Sequence, residues 1–249
     1  MQIAINIRLE MIRIPSGTFL IGSPEDELGR WVHEGPQQKV TVPSFSMGKY
    51  SVTQAQWRTV ANLPQVKQEL NPDPSGFKGD NRPVEQVNWH EAMEFCARLS
   101  AHAGQTYTLP SEAQWEYACR AGTTTPFHFG ETITTDLANY DGDHTYGTGP
   151  KGIHRGVTTE VGSFLPNGFG LYDMHGNVWE WCLDYYRNTY EDARADGSAW
   201  VTGKPSKHRI LKGGSWYNFP ESCRCADRHD AHEFSRDDII GFRVVSVQH

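Results

Sequence analysis

The chain has no apolar stretch near the roughly 20 residues that a membrane-spanning helix needs. Its first residues, MQIAINIRLE, lack the basic start, apolar core and small-residue cleavage site of a secretory signal. No run of Lys or Arg interrupts an overall charge of −7, so the clustered cations that displace counterions from nucleic acid are missing. Five cysteines, Cys96, Cys119, Cys182, Cys223 and Cys225, are an odd count with a single C-x-C pair. That is neither a secreted disulfide framework nor a zinc spacing. The expected setting is therefore reducing and cytoplasmic, with neither membrane insertion nor nucleic-acid binding. A bond from Cys119 to Cys223 or Cys225 stays open. Eleven histidines form no H-x-x-x-H or H-E-x-x-H pattern, and Gly213-Gly214 reads as a tight backbone approach, since no P-loop lysine and serine pattern surrounds it.

What is abundant is turn-forming and aromatic. The 249 residues include 24 Gly, 14 Pro and eight Trp, a composition that favours a loop-rich globular fold over long helices. No repeat or low-complexity linker divides the sequence, so residues 9–249 read as one domain after an N-terminal extension, residues 1–8. Met11-Ile12-Arg13-Ile14, Thr18 to Ile21 and Lys39 to Val42 alternate as strands do. Helices are expected from Thr53 to Ala61, after Asn88 with Glu91 at the capping-box position, and after Ser111 with Gln114 in the same role. Gly122 to Gly170 is almost all turn signals, and a stretch that long without regular structure is usually functional or cross-braced. Strands near Arg209 to Lys212 and Phe242 to Val247 complete an α+β pattern of short strands and two to three helices.

The most informative segment is LKGGSWYNFPESCRCADRHDAHEFSRDDIIGFR, residues 211–243. A frame of Gly213, Gly214, Ser215, Trp216, Arg224, Arg228, Arg236, Gly241, Phe242 and Arg243 encloses aromatic and short polar residues with no helical or strand period. Tyr and Phe supply contact area at small entropic cost, and Asn, Ser, Asp and His supply adaptable hydrogen bonds. The plainer reading is an ordinary surface loop; ordered loops, however, disproportionately carry function.

GTFLIGS, YSVTQAQW, PVEQVNWHEAMEFCARLS, LPSEAQWEYACRAG, NGFGLYDMHGNVWEW, LKGGSW and IGFRVV occur in the order seen in the formylglycine-generating enzyme (sulfatase-modifying factor) superfamily, which the chain resembles over nearly its whole length. The resemblance implies a C-type-lectin-like fold in its loop-rich form. It also implies, as one reading, an O2-dependent oxidase that converts a sulfatase cysteine to formylglycine with copper held by two cysteines in GGS-aromatic-x-Cys-x-x-x-x-Cys. Here the first of those positions is Asn218 and the second Cys223. Copper(I) prefers thiolate ligands, which an amide does not replace, so copper and this activity are not expected.

The segment 211–243 also resembles the variable proteins of diversity-generating retroelements, in which scattered codons are rewritten at adenines. The residues reachable from such codons exclude Lys, Glu, Gln, Met and Trp. The corresponding candidates here are Tyr217, Asn218, Phe219, Ser222, Cys225, Asp227, His229, Asp230, Ala231, His232, Phe234, Ser235, Asp237, Asp238 and Ile239, within a variable region of about 216–240. All lie in the reachable set. The preferred expectation is a noncatalytic, receptor-like domain that binds a protein, peptide or glycan through this surface, in a chain that could be fused to a signalling domain.

The resemblance further implies structural calcium at the Asp173 side chain, the Gly176 and Val178 carbonyls and Glu180, a mixed oxygen set that calcium accepts. The plainer reading is a turn capped by Asp173 with Glu180 in an ion pair. A second site could use Asn139 and the Tyr140 carbonyl. His229 and His232, flanking Asp230, raise a zinc reading that ranks below simple surface contacts.

Overall fold

Element boundaries follow the capping and turn residues of the chain, of which the structure, a computed structural model, describes residues 2–4, 7–203 and 206–246. Strands β1 (Gln2–Ala4), β2 (Ile7–Arg8), β3 (Met11–Ile14), β4 (Gly17–Ile21), β5 (Gln38–Val42) and β6 (Phe45–Gly48) precede helices α1 (Gln54–Ala61) and α2 (Trp89–Ala103). Then come β7 (Tyr107–Thr108), α3 (Glu112–Arg120), β8 (Trp179–Tyr185), β9 (His208–Lys212), β10 (His229–His232), β11 (Ile240–Gly241) and β12 (Val245–Ser246). The expected α+β pattern is observed. Part of the stretch expected as an extension, β1 and β2, pairs as a hairpin, and the Arg8 carbonyl accepts from the Gln56 amide at 2.8 Å. Val247 and the two residues after it lie outside the described residues.

Each helix starts at a reciprocal cap. Thr53, Asn88 and Ser111 accept from the backbone three residues on, and Gln56, Glu91 and Gln114 reach back to the cap N–H, which satisfies donors that a helix start leaves unpaired. α2 stops at Gly104, in the left-handed region at φ 65°, where the missing Cβ removes the steric penalty. Between α3 and β8, residues 121–178 contain no helix or strand, as their turn composition predicts. They are instead cross-braced: Arg155 bonds the Thr135 and Ala138 carbonyls, and Asn177 Oδ1 accepts from Thr159 N.

Two four-stranded sheets organise the core, in the orders β10-β9-β8-β11 and β3-β6-β12-β7. β8, WEWCLDY, is buried on both faces over most of its length, so the alternation that would mark it in sequence is absent. β10 lies inside the variable region, where no strand period is visible in the sequence: His229 to His232 pair antiparallel with Leu211 to His208. As a short polar edge strand it has one neighbour and no buried face to impose a period. Trp57 stacks on Phe95 with ring centroids 5.6 Å apart and Phe242 meets both edge-on, joining α1, α2 and the C-terminal strands. A second cluster packs Trp115 and Cys119 of α3 with Leu171, Met174 and Ile210. A third places Phe127, Tyr140 and Tyr146 of the long loop on Cys223.

Arg243 ties these layers together. Its guanidinium donates to Glu180 at 2.6 Å and to the Gly48 and Tyr172 carbonyls, with both charged side chains buried. Removing one partner of such a pair strands the other charge. Arg243→Ala is therefore expected to lose about 3–5 kcal/mol in urea unfolding, and a loss below about 1 kcal/mol would mean that water reaches Glu180.

Candidate ligand-binding surface

The strand β9 leads into Gly213 and Gly214, both at positive φ (101° and 74°). A Cβ on Gly214 would lie 2.6 Å from Cys223 Sγ, so the close approach of these two backbone segments requires glycine there. Ser215 donates to Asn218 Oδ1 at 2.5 Å, and Trp216 Nε1 donates to the Asp238 carbonyl at 3.2 Å. The second bond joins the two ends of the region across 22 residues. Trp216 also meets Phe77 edge-on at 5.3 Å.

Inside the region the frame is ionic. Arg224 bonds Glu34 at 2.6 Å and Glu27 at 2.6 Å, and the Gly29 carbonyl at 2.9 Å. Arg228 bonds both oxygens of Glu112 at 2.7 Å and lies 4.2 Å over the Tyr190 ring. Both arginines are buried. Arg236, expected as frame, is exposed and holds Glu91 at 3.0 Å through two bonds on the surface.

Around this frame the structure brings most of the candidate residues to solvent. Tyr217, Phe219 and Phe234 are 61%, 52% and 58% exposed, large values for aromatic side chains. His229 and Asp237 are exposed, while Asn218, Ser222, Asp230, Ala231, His232, Ser235, Asp238 and Ile239 are half-buried. Cys225 and Asp227 are the corrections: both are buried. Cys225 packs in the α3 cluster, and Asp227 faces Arg224 at 3.4 Å, with burial pushing its carboxyl up to about 7. They belong to the support beneath the surface.

Residues from other segments complete the surface. The His144 ring sits 4.1 Å from Phe219, and the His90 ring 4.6 Å from Phe234. His208 Nδ1 meets Asp230 at 2.5 Å. Beside His144, Asp141 pairs with His154 at 2.8 Å. Residues 233–237 run along the start of α2, with Trp89 N donating to the Glu233 carbonyl and Gln86 N to the Asp237 carbonyl. None of these neighbours was among the sequence candidates. They arrive from distant segments, and no spacing within residues 211–243 marks them.

The expected metal arrangements are only partly assembled. Cys223 is buried, and burial pushes its thiol well above the usual range; Asn218 supplies no second sulfur. His229 and His232 do not converge: three residues apart on β10 they point to opposite faces, one ring against Trp179 and the other against His208. At the calcium positions, Asp173 Oδ2 accepts from Gly162 N at 2.7 Å and its buried Oδ1 has no partner, a feature that fits a cation. Glu180 does not fit, because its carboxylate accepts from Ser51, Trp115 and Arg243 at 2.6–2.7 Å. The Gly176 carbonyl accepts from Val178 N. Asn139 Oδ1, of the second expected site, is also buried without a partner. With Arg243 neutralising Glu180, the four positions do not form a free calcium donor set.

A family model described as the sulfatase-modifying factor enzyme 1-like domain matches residues 6–247. The formylglycine-generating enzyme of Mus musculus is 29% identical over 289 aligned residues, which span 95% of this chain and 75% of that protein. Among solved structures, PvdO from Pseudomonas aeruginosa has a TM-score of 0.85 and 32% identity, covering 99% of this chain and 97% of that one. Treponema denticola variable protein 1 has a TM-score of 0.76 at 23% identity, covering 95% and 94%, a likeness of fold. The architecture is accordingly a C-type-lectin-like fold in the loop-rich form of the formylglycine-generating enzymes.

Beneath the surface lies a carboxyl with a distinctive titration. Glu85 Oε1 accepts from Phe77 N at 2.9 Å, while Oε2 is buried without a partner. Burial, with a smaller contribution from nearby Asp238, raises its pKa to about 7. Asp184 is raised to about 7 chiefly by burial as well. Because the folded-state values lie above the unfolded ones, the folded protein retains protons that the unfolded chain has lost. Each of these carboxyls should therefore add stability as pH falls from 8 to 6, by at most about 1.4 kcal/mol per pH unit for each proton, offset in part by His128 and His175, which burial keeps neutral in the fold while the unfolded chain protonates them. In urea titrations Glu85→Gln is expected to flatten part of this rise; parallel wild-type and variant curves would show that Glu85 is solvated.

Proposed function

The chain belongs to the sulfatase-modifying factor enzyme 1-like domain family, and we propose that this member is a noncatalytic ligand-binding domain whose C-terminal surface is diversified by a retroelement. The observation that carries the reading is the partition of residues 216–240: the arginines Arg224 and Arg228 are buried in ion pairs, while Tyr217, Phe219 and Phe234 stand more than half exposed around them. Binding energy concentrates in a few aromatic anchors. Asn218, Ser222, Asp230, His232 and Asp237 tune polarity about these anchors. Side chains of this kind can change without unfolding the domain, because the frame is held by bonds to residues 27–34 and Glu112. The variable set is then the sequence-derived one without Cys225 and Asp227.

The ligand is a protein, peptide or glycan, met by contact complementarity and not by chemistry at a thiol. The family's oxidase activity is disfavoured by the amide at Asn218 and by the buried, protonated state that its surroundings impose on Cys223. It retains a distinct signature: stoichiometric copper uptake that Cys223→Ser abolishes.

Two measurements test the proposal. Deep sequencing of the codons for residues 216–240 across the source population should find substitutions confined to the exposed and half-buried positions and traceable to adenines in a nearby DNA copy. A uniform region with no copy would remove the diversified reading. Separately, Tyr217→Ala, Phe219→Ala and Phe234→Ala should each change stability by less than about 0.5 kcal/mol, as surface substitutions do. Losses of several kcal/mol would identify core residues and overturn the assignment of these three as contacts.

A further inference from the structure

Below the surface, three potential metal ligands from separate segments meet in the interior. Cys119 comes from the last turn of α3, His175 from the turn before β8, and Cys225 from the loop after the 3-10 turn Pro220–Cys223. Cys119 Sγ lies 3.5 Å from Cys225 Sγ and 3.8 Å from His175 Nε2. All three donor atoms fall within 4.8 Å of one another, and all three residues are buried. The two sulfurs are unbonded thiols in this structure.

The imidazole is oriented for ligation. His175 Nδ1 lies 2.7 Å from the Cys223 carbonyl; a carbonyl only accepts, so Nδ1 carries the proton and Nε2 presents its lone pair toward Cys119. A ring N–H held by a backbone carbonyl is the usual support behind a metal-bound histidine. Nε2 now accepts from His128 N at 3.1 Å, a bond that ligation would replace. Phe127 and Phe129 pack edge-on to the His175 ring, and His128 stacks on it at 4.8 Å with its own Nδ1 unpartnered. Burial and the neighbouring Cys225 hold the Cys119 thiol well above its usual range, opposed only in part by Lys212 and Arg120, so a bound ion has to displace the proton.

We propose that Cys119, His175 and Cys225 form a buried binding site for one thiophilic d10 cation, Zn2+ or Cu+. With bonds of ~2.3 Å to sulfur and ~2.0 Å to nitrogen, the 3.5 Å and 3.8 Å separations correspond to angles of roughly 100° and 120°, and Cys225 Sγ and His175 Nε2, within 4.8 Å of each other, must come to about 4.3 Å or less as the ion binds. The donor set, two sulfurs and one imidazole, is that of soft and borderline ions. Each thiol gives up its proton to solvent as its sulfur bonds the ion, and no oxidation state changes. Because the donors are enclosed, the ion enters as the chain folds. It would pin α3 and the turn before β8 to the base of the ligand-binding loop. The site differs from a copper site built on Cys223, which contributes here only its backbone carbonyl.

The experiment refolds the full chain under reducing, anaerobic conditions with Zn2+ or with Cu+ and measures bound metal by elemental analysis. One equivalent of either ion is expected, with release of protons, a rise in melting temperature and protection of two cysteines from alkylation. Zinc uptake alone or copper uptake alone identifies which d10 ion the pocket takes. His175→Gln should weaken retention at least roughly tenfold, whereas Cys223→Ser should retain the metal. Failure to take up either ion overturns the proposal, as does loss of uptake in Cys223→Ser. A Cys119–Cys225 disulfide, seen as two fewer of the five cysteines alkylated in unreduced, denatured native protein, also overturns it. Should His175→Gln not fold, thiolate-to-metal charge-transfer bands of the wild type loaded with Co2+ in place of zinc, or with Cu+, read the same ligands, and their absence with both ions rejects the site.

Discussion

Three buried arginines near the C-terminus, each closed on a carboxylate from a distant segment, hold the rest of the molecule in place. Arg224 reaches Glu34 and Glu27, Arg228 reaches Glu112, and Arg243 reaches Glu180. In the interior these charges lack the solvation of water, so each pair tolerates little displacement, and losing one partner costs more than the pair contributes. The partners lie 63 to 197 residues away in sequence. The ion pairs therefore connect the last part of the chain to nearly every earlier layer. A segment with little regular structure, residues 213–239, gains a defined path without a continuous hydrogen-bond ladder.

That arrangement explains how an irregular loop can be both ordered and permissive. Gly213 and Gly214 set the approach to Cys223, Trp216 joins the far end at Asp238, and the arginines anchor the middle. Side chains that project outward take little part in these constraints. Tyr217 and Phe219 rest beside Trp216 and His144, and Phe234 rests on His90, so their neighbours shape the surface without enclosing them. The buried thiol–imidazole group lies under the same loop, where a bound ion would add a further anchor to a region with little secondary structure of its own.

Much of the fold was legible in local chemistry. The capping pairs Asn88/Glu91 and Ser111/Gln114 marked their helices because a cap is made within four residues, and β3, β4 and β5 alternate because each exposes one face. β8 escaped notice because it is buried on both faces, and β10 because an edge strand of His and Asp has no apolar period. For the candidate surface, the contrast between rigid and adaptable residue types singled out a segment in which buried arginines and exposed aromatics do alternate. It misplaced Cys225 and Asp227, whose small side chains look the same in sequence whether they face solvent or, as here, Cys119 and Arg224.

What the sequence determined by itself is the family, the α+β elements and the segment that carries the candidate surface, since motifs, caps and turn residues act over short separations. Only the tertiary structure decided which members of that segment face outward and which neighbours, such as His90, His144 and His208, stand beside them. It also decided that Glu180 serves Arg243 and that Cys119 meets Cys225 and His175. Those outcomes depend on contacts between residues far apart in sequence, 63 positions for Glu180 and Arg243 and 106 for Cys119 and Cys225, where burial and electrostatics, and no local pattern, select the partner.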